Sequence, residues 1–264
     1  MQLYSETSGV GPDLVLVHGW GLHGGIWDEF VPLLEQDFRV TRVDLPGHGR
    51  SEWNNEVTLD DMADAVLASV PESAAWLGWS LGGLVASCAA LKRPAHVSAL
   101  VTLASSPCFV RKPGWQSAML PVLLDTFAGD LHDDYKKTLN RFLSLQVRGS
   151  AAANQTLKAL RTKLLAHGQP STAALQAGLD VLRTADLREQ VSGISCPVLL
   201  LMGERDTLVP VYAGRESVPL FPAARLEVIE GAGHAPFIAQ PDVVAKLVQD
   251  FLHANDDNSV NSHD

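Results

Sequence analysis

The chain has 264 residues, of which 46% are hydrophobic, and a formal net charge of −10. The acidic balance argues against a nucleic-acid-binding protein, because that role needs a basic surface that displaces counterions from phosphates. No apolar segment approaches the ~20 residues of a membrane-spanning helix, and residues 1–9 lack the basic start and apolar run of a secretion signal. We therefore expect a cytoplasmic protein, a monomer, without nucleic-acid or membrane partners.

Short apolar runs bounded by turn residues recur along the chain, which is typical of strands buried in a parallel sheet. Predicted strands, including a weak edge strand at the start, span residues 2–7, 14–17, 38–43, 97–104, 197–202 and 226–229. Helical spacing separates them at residues 59–70, 83–92, 212–220 and 241–253. This alternation predicts an α/β fold with a mostly parallel, twisted sheet flanked by helices.

Residues 113–184 interrupt the alternation, because they show helical spacing throughout and no convincing strand. We predict an inserted helical lid at 113–184, within an α/β core formed by residues 1–112 and 185–254. Residues 255–264 are too polar to bury and are predicted to be a disordered tail.

A candidate nucleophile lies in the pattern Gly78-x-Ser80-x-Gly82. Residues 74–77 before it are typical of a strand, and residues 84–91 after it are typical of a helix. A serine on such a tight turn is held in a strained conformation that exposes its hydroxyl, and the glycines avoid a Cβ collision. So short a pattern also occurs by chance, and the flanking strand and helix are what favour a hydrolase nucleophile.

The serine needs a base to take its proton and an acid to orient that base. In serine hydrolases built on α/β sheets these follow in the order acid, then histidine, on loops after strands. His234 directly follows the last predicted strand, and Asp206 follows the strand at 197–202. Glu204 is the nearest competitor, but it directly follows a glycine turn. A turn-capping role is the alternative for Asp206.

An oxyanion hole needs two backbone N–H groups, each worth roughly 3 kcal/mol of barrier. Leu81 follows the nucleophile, and Trp20 lies in the glycine-containing loop after the strand at 14–17. His18 and Asp44 precede the serine and are predicted to hold loops. The spacing of metal sites and of G-x-G-x-x-G is absent, so we predict neither a metal nor a cofactor. The cysteines, which are predicted to be buried free thiols, are Cys88, Cys108 and Cys196.

The predicted lid has an unusual charge. Residues 131–168 contain seven basic and two acidic residues, a net charge of +5 in a protein of −10. Lys137 and Arg141 are four residues apart, and Lys158 and Arg161 are three apart, so each pair shares a helix face. This pattern is compatible with a solvated helix surface or with a docking face for an acidic partner.

Several longer stretches resemble a known family. The chain is similar to the α/β-hydrolase superfamily and, within it, to the pimeloyl-(acyl-carrier protein) methyl ester esterases of biotin synthesis. The resemblance spans nearly all of the chain except the tail. Its most specific stretches are Trp-Leu-Gly-Trp-Ser-Leu-Gly-Gly-Leu-Val-Ala-Ser at 76–87, Ser-Ser-Pro-Cys-Phe at 105–109 and Arg-Phe-Leu-Ser-Leu-Gln at 141–146.

The resemblance implies hydrolysis of the methyl ester of a pimeloyl chain on acyl carrier protein. It implies a catalytic triad of Ser80, Asp206 and His234. The implied substrate contacts are Trp20, Ser80, Leu81, Phe142, Leu143, Ser144, Leu145, Gln146 and His234. Acyl carrier proteins are strongly acidic, so the implied docking residues are basic and match Lys137, Arg141 and Lys158, whereas Asn154 replaces a further basic position. Arg161 is added to the predicted docking residues from the charge pattern, because it shares a helix face with Lys158.

Other functions stay open at this point. A broad short-chain carboxylesterase and a carbon–carbon bond hydrolase use the same triad. A ligand sensor that keeps the fold and the triad would signal through its lid. A haloalkane dehalogenase uses an aspartate as its nucleophile, so Ser80 argues against that chemistry.

Overall fold

The computed structural model describes residues 2–53, 57–164, 166–168 and 170–260. In this part of the chain a single seven-stranded sheet has the order β1-β3-β2-β4-β5-β6-β7. Only β1 runs antiparallel to its neighbour, so the predicted mostly parallel sheet is confirmed. The strands are β1 (Ser5–Ser8), β2 (Asp13–Val17), β3 (Arg39–Val43), β4 (Ala74–Trp79), β5 (Val97–Leu103), β6 (Val198–Gly203) and β7 (Ala224–Ile229).

The central strands are the most apolar because helices cover both faces of the sheet. Every residue of β4 and β6 is buried, whereas the edge strands β1 and β7 are half-exposed along most of their length. The carboxyl ends of the parallel strands therefore meet at one edge of a rigid, dry sheet. In folds of this kind ligands bind at that edge.

Five α-helices of the described residues belong to the core. They are α1 (Leu59–Leu67), α2 (Leu81–Lys92), α7 (Val211–Ser217), α8 (Pro236–Ala239) and α9 (Pro241–Val260). The helix predicted at 212–220 ends at Ser217 and continues as a 3₁₀ turn (Val218–Leu220), whose Pro219 lacks the N–H that an α-helix needs. The last helix continues to Val260, so residues 255–260 of the predicted disordered tail are helical, and residues 261–264 lie outside the described residues.

Four further helices lie between β5 and β6, in the segment predicted as a helical insertion. They are α3 (Pro121–Asp133), α4 (Tyr135–Gln146), α5 (Ala153–Leu164) and α6 (Thr172–Thr184). We refer to residues 113–184 as the insertion. Helix α4 buries residues three to five positions apart, which is the stripe of an amphipathic helix. No helix in the described ranges is long and apolar enough to span a membrane.

The cysteines hold no disulfide. Cys88 and Cys108 are buried free thiols, as predicted, whereas Cys196 is only half-buried. Burial raises the pKa of the Cys88 thiol to about 12 and that of Cys196 to about 11. Since the thiolate is the reactive form, none of this favours a nucleophilic cysteine.

Candidate active site

Ser80 lies on the turn that joins β4 to α2, and its φ of +55° is rare for a residue other than glycine. The two motif glycines make the turn possible. A Cβ on Gly78 would lie 2.2 Å from the carbonyl oxygen of Gly82, and a Cβ on Gly82 would lie 2.3 Å from that of Val17. The turn therefore has the strained strand-to-helix geometry that the sequence motif predicts.

The neighbouring strand supports this turn. The Ser80 N–H donates to the Leu103 carbonyl at 2.9 Å, and the Ser105 hydroxyl donates to the Ser80 carbonyl at 2.7 Å. Ala104, between them, has a φ of +47°. Sequence reasoning missed the role of Ser105, although its position at the end of the adjacent parallel strand was a usable signal.

Ser80, His234 and Asp206 form a continuous hydrogen-bonded chain. The His234 Nε2 atom is 2.9 Å from the Ser80 hydroxyl, and His234 Nδ1 is 2.7 Å from Asp206 Oδ2. A carboxylate only accepts, so Nδ1 carries the proton of the neutral ring and Nε2 accepts from the serine. This is the tautomer in which the histidine can remove the serine proton.

The loops after β6 and β7 place the acid and the base. Asp206 Oδ1 accepts the N–H groups of Leu208 and Val209 at 2.8 and 2.9 Å, which leaves Oδ2 for His234. Glu204, the competitor in the sequence, is exposed and accepts the Gly231 N–H at 2.9 Å. The structure therefore brings Asp206, and not Glu204, to the histidine.

The loop after β2 lies against the nucleophile. A Cβ on Gly19 would be 3.3 Å from Ser80 Cβ, so only a glycine allows this approach without displacement. Trp20 is buried, and its indole N–H donates to the Leu175 carbonyl of α6 at 2.8 Å. Leu81 opens α2, where backbone N–H groups are free to bind a negative charge. Leu81 thus directly follows Ser80, and Trp20 directly follows Gly19, which lies against the nucleophile. The oxyanion role of their N–H groups stays a prediction.

His18 and Asp44 hold loops, as the sequence predicts. His18 Nε2 accepts the Leu45 N–H at 2.9 Å, and its Nδ1 donates to the Gly19 carbonyl at 2.8 Å. Asp44 accepts from the Gly24 N–H and from Arg50. Burial opposes the charge on Asp44, but these hydrogen bonds outweigh it and lower its pKa. The pair fixes the loop that carries Trp20.

The predicted substrate segment on α4 has two faces. Phe142, Leu143 and Gln146 are buried, and the Phe142 ring packs edge-on against Trp20 with a centroid distance of 4.7 Å. The Gln146 carbonyl accepts the His234 N–H at 2.9 Å. Ser144 instead lies on the exposed face and donates to the Asn140 carbonyl, so the structure does not bring it to the triad, and Leu145 is half-buried.

The predicted docking residues are exposed on two helices of the insertion. All four side chains are exposed, two of them on α4 and two on α5, namely Lys137, Arg141, Lys158 and Arg161. Arg141 forms an ion pair with Asp130 at 2.6 Å and lies over the Phe127 ring. The positive surface is therefore present, and part of its charge is compensated within the insertion.

The triad is closed to bulk water. Ser80, Asp206 and His234 are 3%, 6% and 1% exposed, and α4 and α6 cover the oxyanion loop. Within the described ranges no group of three or more His, Cys, Asp or Glu side chains is placed to hold a metal ion. The arrangement can activate a serine through its own hydrogen bonds.

Taken with the sheet topology, this geometry defines a serine hydrolase of the α/β-hydrolase class. A profile described as "alpha/beta hydrolase fold" matches residues 12–241. The chain is 43% identical over 255 residues to a pimeloyl-(acyl-carrier protein) methyl ester esterase of Yersinia pseudotuberculosis, covering 96% of this chain and 98% of that one. It is 45% identical over 250 residues to the enzyme of the same name from Edwardsiella ictaluri, covering 94% of this chain and 96% of that one.

A solved structure of a bromoperoxidase from Bacillus anthracis superposes with a TM-score of 0.88 at 19% identity, covering 95% of each chain, which supports the fold alone. The chain belongs to the α/β-hydrolase family and, within it, to the family of the pimeloyl-(acyl-carrier protein) methyl ester esterases.

Proposed function

We propose that the protein hydrolyses the methyl ester of a pimeloyl chain carried on acyl carrier protein, a reaction of biotin synthesis. The observation that carries the reaction type is the buried hydrogen-bonded chain from Ser80 through His234 to Asp206. The proposed substrate rests on the full-length similarity to esterases that bear this name.

The reaction proceeds by two acyl transfers. His234 takes the Ser80 proton as the hydroxyl oxygen attacks the ester carbonyl carbon, and the N–H groups of Leu81 and Trp20 stabilise the oxyanion. The C–O bond to methanol then breaks, and His234 returns the proton to the departing oxygen. Water attacks the acyl-enzyme with His234 again as base, which releases the carboxylic acid and restores Ser80. Asp206 accepts the Nδ1–H hydrogen bond throughout and stabilises the imidazolium.

The insertion acts as a lid and as a docking surface. Its inner face packs on the Trp20 loop, so the acyl chain binds between the insertion and the core, against the buried α4 residues Phe142 and Leu143. Its outer face presents Lys137, Arg141, Lys158 and Arg161 to the acidic carrier. Complementary charge speeds the encounter and fixes the orientation of the partner. The protein acts as a cytoplasmic monomer, without a cofactor.

Growth of a bacterial strain that lacks its own pimeloyl methyl ester esterase tests this function. We expect the wild-type gene to restore growth without biotin, and the Ser80→Ala gene, expressed to the same level, to fail. Rescue by Ser80→Ala would refute the triad. A soluble wild-type protein that hydrolyses p-nitrophenyl esters but does not rescue growth would instead show a general carboxylesterase.

A further inference from the structure

Trp79, the residue before the nucleophile, contacts the main chain of the catalytic histidine. Its indole Nε1–H donates to the main-chain carbonyl of His234 at 2.7 Å, across 155 positions of sequence. The donor is buried, and Trp79 itself is 0% exposed. We infer that Trp79 is a positioning residue that holds His234 at the correct distance from Ser80. The inference rests on the proposed triad.

The loop that carries His234 needs such a contact. It reads Gly-Ala-Gly-His-Ala at 231–235, and its glycines leave the main chain with wide conformational freedom. Pro236, two residues after His234, has no N–H to donate, and the N–H groups of Ile238 and Ala239 donate to the Ala235 carbonyl instead. The hydrogen bond that the described residues give to the His234 carbonyl comes from outside the loop, from Trp79.

The main-chain N–H and C=O groups of His234 are each held by a different region of the molecule. The insertion binds the N–H through the Gln146 carbonyl at 2.9 Å, and Trp79 binds the carbonyl from the core. Together they restrain the two peptide planes that flank the His234 Cα atom, and so the direction of the Cα–Cβ bond. Since a displacement of about 1 Å in a catalytic group can lower a rate ~100-fold, this fixation matters for turnover.

The surrounding aromatic cluster offers a matched control. Trp27, like Trp79, is fully buried and packs against Phe237, with a ring-centroid distance of 4.3 Å against 5.1 Å for Trp79. The indole nitrogen of Trp27, however, has no hydrogen-bond partner among the described residues. Trp27→Phe therefore removes the same atoms from the same cluster without removing a hydrogen bond.

The test compares Trp79→Phe with Trp27→Phe on p-nitrophenyl butyrate, which needs the triad but not the carrier protein. We expect kcat to fall at least tenfold in Trp79→Phe with KM within twofold of wild type, and kcat to stay within twofold in Trp27→Phe. The rate of Ser80 phosphorylation by diethyl p-nitrophenyl phosphate, which also needs His234 as base, should fall in parallel. Equal losses in the two variants would show that Trp79 only packs, and would overturn the inference.

A second replacement covers the case in which Trp79→Phe does not fold. Benzothienylalanine at position 79 keeps the shape of the indole and replaces its N–H by sulfur. A fall in kcat of about tenfold supports the positioning role, whereas wild-type kcat refutes it. Failure of the triad itself is distinguishable, because Ser80→Ala would then retain activity on the same ester.

Discussion

The sheet-based core and the helical insertion contribute to one site in different ways. The core supplies Ser80, Asp206 and His234 from loops after β4, β6 and β7, whose spacing is fixed by the hydrogen bonds of the sheet. The insertion covers them with the apolar face of α4 and with one main-chain carbonyl, that of Gln146. The triad therefore comes from the sheet-based core, and the residues that cover it come from the insertion.

The charges of the two regions differ in sign. Residues 131–168 carry +5, so the rest of the chain carries −15. An acidic carrier protein would be repelled by the core and attracted to the insertion, which orients it over the covered triad. Substitutions in the core and in the insertion should therefore differ in effect.

The largest expected effect follows from Ser80→Ala. Removing the nucleophile should lower kcat roughly 10⁴–10⁶-fold on every ester, because no other group in the chain of hydrogen bonds can form the acyl-enzyme. Methanol release from a methyl ester measures it. Ser192→Ala, an exposed serine far along the chain, is the control and should stay within twofold of wild type. Unchanged turnover in Ser80→Ala would exclude the serine mechanism.

Asp206→Asn should lower kcat roughly 10²–10⁴-fold. The amide oxygen of the asparagine can keep the N–H groups of Leu208 and Val209, which turns its NH₂ group toward His234 and forces the wrong tautomer. Glu204→Gln is the matched control, and its kcat should change by less than twofold. A comparable loss in both variants would contradict the assignment of the acid.

In the insertion, Gly178→Ala on α6 should lower kcat/KM about tenfold. The new Cβ would lie 2.5 Å from Trp20 Cδ1, so the indole of the oxyanion loop has to move. Gly129→Ala on α3 is the matched control, because nothing lies within 4 Å of its Cβ, and it should raise helix stability by up to about 1 kcal/mol. Equal kcat/KM in the two variants would show that α6 does not position the loop.

The last effect is on stability in acid and leaves turnover at neutral pH unchanged. Burial lowers the pKa of His18 to about 3 and that of His48 to about 4, against 6.5 in the unfolded chain. Between these values the folded state binds fewer protons than the unfolded state. The neutral, buried His18 and His48 therefore contribute fully to the free energy of unfolding above pH 6.5, and this contribution is lost as the pH falls toward 4 and 3. At pH 5, His18 and His48 should each lower the free energy of unfolding by about 2 kcal/mol relative to neutral pH.

Urea unfolding between pH 7.5 and 4 measures this loss. The His48→Gln variant should show a flatter dependence on pH than wild type, whatever its absolute stability. The same slope in both proteins would mean that His48 is protonated in the folded state.

The sequence predicts most of the core because its signals are local and periodic. Apolar runs predict the strands, and the order of Ser80, Asp206 and His234 on successive loops predicts the triad, since parallel strands bring their carboxyl ends to one edge. The tail shows the limit of composition, because residues 255–259 are polar yet continue α9. A helix can extend through local i to i−4 hydrogen bonds whatever the polarity of its side chains.

The supports of the triad were not predictable in the same way. Trp79 has the pattern of an ordinary core residue in a strand, and nothing local indicates that its indole reaches His234. The contact from Gln146 is made by its main chain, which any residue type would supply. The resemblance also assigned a continuous run at 142–146 to the substrate, but helical geometry turns Ser144 outward.

Kinetics on two substrates test the division between core and insertion most directly. The kcat/KM of the purified protein is measured on carrier-bound pimeloyl methyl ester and on free dimethyl pimelate, for wild type and for Lys137→Glu combined with Lys158→Glu. We predict that the carrier raises kcat/KM at least tenfold in wild type, and that the double variant loses this gain while its rate on the free ester stays within twofold. A carrier preference that survives the charge reversal would contradict the account.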